Sequence, residues 1–164
     1  YNINSGSGEC YSGCSNVVLW AMGNPGTSSA FLTALIVGTG GYSLAPNADE
    51  PSCSYCMETL DTRITGTPVY HDGVISFALE TGVYNGSQTV PGIFWGQIMP
   101  FLNDAGSLVN GYDIQNGYQY YGGDGAASFG AVMPDLNGDL FMVFEFMNNS
   151  VKPEVAYVSR RENY

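Results

Sequence analysis

Four cysteines fall in two close pairs, Cys10 with Cys14 and Cys53 with Cys56. Such spacing admits two chemistries. Four thiolates brought together complete the tetrahedral shell of a structural zinc ion. Alternatively each pair closes a disulfide that pins a loop, which is the expectation for an acidic, lysine-poor chain in an oxidising compartment. Local pairing is favoured over cross-pairing, although spacing alone leaves the connectivity open. Haem attachment is excluded, because Met57 stands where that motif needs histidine.

The acidic residues offer less. Asp135, Asn137 and Asp139 alternate as oxygen ligands do at the start of a calcium loop, so calcium is the one cofactor the sequence suggests. No glutamate stands at the twelfth position, and a hairpin turn with polar flanks is the preferred reading. Glu80 and Glu145 could form the carboxylate pair of a glycoside hydrolase. They also end two similar segments, so repetition alone predicts both, and strand-end residues are the expectation. His71 is the only histidine, which rules out a multi-histidine metal site within the chain. Beside Asp72-Gly73 it reads as a solvated loop residue. No Gly-x-Ser-x-Gly elbow is present to serve it in nucleophilic catalysis, so no catalytic residue is assigned. Tyr118, Tyr120 and Tyr121, between Gly117 and Gly122, could present rings to a sugar. Loop packing or a subunit contact is preferred for them. Asn85-Gly86-Ser87 and Asn148-Asn149-Ser150 match the glycosylation triplet, in segments that read as turns.

The elements that position these residues are strands. Gly and Pro punctuate the chain too often for helices, and no apolar spacing of three and four residues persists. Hairpins are expected between Val17–Met22 and Phe31–Val37, about His71-Asp72-Gly73, about residues 103–106 and about Leu136-Asn137-Gly138, with a final strand over Pro153–Arg160. Residues 41–60 read as a Cys- and Pro-rich loop.

One pattern recurs. Gly73 to Glu80 and Gly138 to Glu145 each run seven residues from a turn glycine to a glutamate. Each is followed by Pro-x-[Ile/Val]-x-[Trp/Tyr], at Pro91–Trp95 and Pro153–Tyr157. A partial third copy, Asn16–Trp20, precedes them. Leu140–Phe144 is apolar throughout, as expected of a strand covered on both sides of its sheet. Self-similarity at a roughly fixed period marks a repeat architecture.

Asp61–Ile64 with Val69–Ile75, and Asp135–Leu140 with Pro153–Arg161, resemble blade segments of secreted bacterial β-propellers over about residues 59–161. The resemblance implies an all-β fold of antiparallel four-stranded blades and an extracellular setting, with no catalytic residues to carry over. On this reading the chain is a single domain of about two and a half blades: roughly 1–40 (partial), 61–115, and 124–164 (partial). A ring needs at least four.

The expectation is therefore a secreted structural or interaction module, completed by other polypeptide of its parent or by neighbouring copies. A glycan-binding or glycan-hydrolysing propeller is the alternative. The chain has 15 acidic against 4 basic residues and a net charge of −11. That balance excludes nucleic-acid binding and docking on anionic membranes. No apolar run is long enough to span a bilayer as a helix. The start at Tyr1 suggests a processed chain or a piece of a longer one.

Overall fold

The computed structural model describes residues 2–4 and 10–161 of the chain. Within them every regular element is a strand, and all the sheets are antiparallel. The first sheet joins β1 (Asn2–Asn4), β2 (Cys14–Gly23) and β3 (Phe31–Tyr42). A small hairpin follows, β4 (Ala48–Glu50) with β5 (Cys53–Met57). The middle sheet runs in sequence order through β6 (Ile64–His71), β7 (Val74–Tyr84), β8 (Thr89–Leu102) and β9 (Leu108–Gln119). The last sheet joins β10 (Ala126–Pro134), β11 (Leu140–Asn148) and β12 (Val151–Arg160).

The turns follow from their residues. Asp72 and Gly73 both have positive φ, 44° and 84°. That is the two-residue turn whose twist matches the flanking strands, and His71 pairs directly with Val74. At the equivalent turn Asp135 and Asp139 share a backbone hydrogen bond, and Gly138 takes the left-handed position at φ 86°. Asp135 Oδ1 accepts from the amides of Asn137 and Asp139, which fixes the loop locally. The alternating Asp-Asn-Asp run is thus a hairpin turn.

Two cores separate three layers. Between the first and middle sheets, Val17, Leu19 and Val37 pack on Ile75, Phe77, Leu79, Phe94 and Ile98. Between the middle and last sheets, Ala78, Ile93 and Trp95 pack on Leu140, Met142 and Phe144. Seven consecutive residues of β7, Ile75–Thr81, are therefore buried, because each face of that strand has its own neighbour.

The strands exceed their sequence expectations in places. Residues 41–60 hold the β4–β5 hairpin as well as loop, and β9 continues to Gln119, so Tyr118 lies in a strand. The first sheet also differs from a simple third copy. Leu19 faces the middle sheet, so strand alternation puts Trp20 on the far side, whereas Trp95 faces the next sheet. The two interfaces differ accordingly. β3 lies beside β9, whereas β10 crosses β6, β7 and β8.

Candidate functional site

The cysteines separate into two local pairs at disulfide distance, with Cα–Cα 5.6 Å for Cys10–Cys14 and 5.8 Å for Cys53–Cys56. A four-thiolate zinc site is not formed. Cys10 is buried and anchored, its amide donating to Thr62 Oγ1 at 3.1 Å. Cys53 and Cys56 are exposed on β5, with Glu50 close by.

Glu80 and Glu145 occupy matched positions but not one cleft. Glu80 is 1% exposed, and its Oε2 accepts from the Phe129 amide at 3.0 Å. Phe129 stands in the β-bulge that interrupts β10–β11 pairing between Ser128 and Ala131, with a left-handed φ of 56° that costs a non-glycine residue. Glu80 holds that bulge. Across the same contact Thr65 Oγ1 donates to the Gly130 carbonyl at 2.7 Å. Burial pushes the Glu80 carboxyl up to about 8, the nearby Ser128 hydroxyl and the Phe129 amide oppose the rise, and the charge of Glu145 adds to it. Glu80 Oε1 and Ser128 Oγ have no partner with good hydrogen-bond geometry, although the two groups interact. A carboxyl so enclosed is closed to substrate. Glu145, paired across strands with Ser128 and Val155, lies half-buried in the last sheet.

The tyrosines diverge, with Tyr118 and Tyr120 partly exposed and Tyr121 turned inward. Tyr118 packs on Phe94 and donates its hydroxyl to the Gly41 carbonyl at 2.5 Å, tying the middle sheet to the first. Tyr121 packs the other way, on Phe144 and Phe146. Tyr120 is exposed. The Asn85 amide reaches out of the β7–β8 turn to the segment after β9, donating to the carbonyls of Tyr121 and Gly123. The arginines are engaged separately, Arg63 with Asp61 and Arg160 over the Trp95 ring. His71 ends β6 and is half-buried rather than solvated in a loop.

The feature left over is a pair of open faces. On the outer side of the last sheet, Phe141 is 46% exposed, Val143 49%, Met133 63% and Tyr157 78%. They are cross-strand neighbours: Met133 pairs with Phe141, and Val143 with both Ala131 and Tyr157. On the outer side of the first sheet, Met22 pairs with Leu32 and Val18 with Ile36, and Met22, Leu32 and Ile36 are all more than half exposed. The inward sides of the same strands are sealed. Soluble monomers rarely leave contiguous apolar patches on this scale, and such patches mark binding surfaces.

The sequence leads one to expect apolar faces left open for other polypeptide, but alternation within the all-apolar β11 leaves no polar residue to mark which of its sides is the open one. No family model matches the chain, and no curated protein or solved structure is significantly similar to it.

Proposed function

We propose that this chain is an extracellular assembly module whose two open sheet faces receive sheets of other polypeptide, extending the stack in the manner of propeller blades. The carrying observation is β11, whose Leu140, Met142 and Phe144 are sealed against the middle sheet while the intervening Phe141 and Val143 stand open. The middle sheet supplies the template. Its β7 occupies the matched repeat position and is covered on both sides. The step from the middle to the last sheet keeps the repeat in phase, which supports the blade reading for these two. The paired cysteines and the acidic, lysine-poor composition support an oxidising, extracellular setting.

Docking is through faces rather than by adding strands at the edges of the last sheet. β12 carries Lys152 and Pro153 just after its first residue, which discourage pairing, and β10 carries the bulge. Full burial of a large apolar side chain contributes about 1.5–3 kcal/mol, so a face of five or six is of the order needed to offset the entropy of association.

A head-to-tail contact, first face on last face, makes the test specific. Ile36→Glu should disable one face and Val143→Glu the other. Each variant alone should lose the ability to extend, and the two mixed should form a 1:1 complex through their intact faces. Association unchanged in both variants, or no complex on mixing, would contradict the proposal.

A further inference from the structure

Between the middle and last sheets, at the end where the His71-Asp72-Gly73 and Leu136-Asn137-Gly138 turns come together, lies a cleft of about 450 Å³. That is within the usual range for small-molecule sites. Its walls are not those of the adjoining core. Ser76, 0% exposed, and Gln97, 5% exposed, line it from the middle sheet, and His71, Asp72 and Asn137 line its rim.

Ser76, Gln97 and Gln115 stand side by side on β7, β8 and β9. They are joined in a chain: Gln115 Nε2 donates to Gln97 Oε1, and Gln97 Nε2 donates to Ser76 Oγ at 3.0 Å. Burying an amide and a hydroxyl in a sheet interface is unfavourable unless their hydrogen bonds are completed. Gln97 retains a second Nε2 hydrogen and Ser76 its hydroxyl hydrogen. Among the described residues neither finds a protein acceptor. The repeat does not impose this polarity. Three residues beyond the turn glycine, Ser76 stands where the second copy has Phe141.

We infer that this cleft binds a neutral, hydroxyl-rich ligand of the size of one or two sugar rings. The charges select for neutrality, since Asp72 and His71 are the only ionisable lining residues and no lysine or arginine is present to hold an anion. Gln97, backed by the buried Ser76 hydroxyl, offers its remaining amide hydrogen to a ligand oxygen, and Asn137 and Asp72 meet hydroxyls at the mouth. Met99, Ile114 and Pro134 offer apolar surface to the C–H side of a ring. The site is formed within one chain, so it stands or falls independently of assembly through the outer faces.

The test is saturation-transfer NMR on the full chain with methyl glycosides of glucose, galactose, mannose and N-acetylglucosamine. At least one should give a saturable signal with a Kd in the millimolar range. Gln97→Met keeps the bulk of the side chain and removes its amide, and should weaken that signal about tenfold or more. His71→Ala, at the half-buried rim, should weaken it without disturbing the fold and decides the matter if Gln97→Met does not fold. No signal from any of the four sugars, or signals unchanged in His71→Ala and a folded Gln97→Met, would overturn the inference.

Discussion

Glu80 shows how one buried side chain ties two sheets together. It leaves β7, crosses the interface and accepts the amide of Phe129, a residue held in a costly left-handed conformation. The proton on this carboxyl is part of the fold. Its ordinary value is 4.5 and burial raises it to about 8 in the folded protein. Between those values the folded state holds more protons than the unfolded one, so stability falls as pH rises. The contribution is present in full below about 4.5 and is lost as pH passes through about 8. The closest charged influence is Glu145, whose negative charge acts in the same direction. Glu80→Gln keeps an acceptor for the Phe129 amide and removes the titration. Urea unfolding from pH 5 to 8.5 should show the native chain losing on the order of a few kcal/mol across that span. The variant should show a distinctly flatter profile. Equal slopes in the two proteins would remove Glu80 from this role.

At the scale of the element, the β10 bulge decides how the last sheet meets the middle one. Gly130 sits within it, and a Cβ added there would lie 2.8 Å from two carbon atoms of the Ile93 side chain. Gly130→Val should therefore destabilise the protein by about 1–3 kcal/mol through overpacking, read as a lower denaturation midpoint. A variant as stable as the native chain would show that this contact yields freely.

Much at this scale was legible beforehand. The Asp72-Gly73 and Asn137-Gly138 turns, the main strands and the matched glutamates all follow from local chemistry. The β4–β5 hairpin did not, because Ala48–Glu50 and Cys53–Met57 are short and carry no apolar alternation. The cleft was illegible as well. Ser76, Gln97 and Gln115 lie far apart in sequence and meet only through strand register. His71, read as a solvated loop residue, reaches that cleft because β6 extends one residue further than expected. The tyrosine run misled for the opposite reason. Its residues are adjacent in the chain, but β9 ends between Tyr118 and Tyr121, so Tyr118 lies on Phe94 at the surface while Tyr121 packs against the second core.

At the scale of the whole molecule, three layers enclose two interfaces and expose two more surfaces of the same chemical kind. Repetition accounts for the open face of the last sheet, the one in phase with the middle sheet. Phe141 and Val143 are placed as residues of β7 are, but among the described residues no fourth layer covers them. On the proposed function, addition at either end stabilises such a stack, and the apolar character of both ends would suit a second copy. The most direct test is sedimentation of the unmodified chain over a wide range of concentration. The account predicts species heavier than the 17.5 kDa chain, growing with concentration and reduced by Ile36→Glu or Val143→Glu. A single species at 17.5 kDa that persists at high concentration would contradict it.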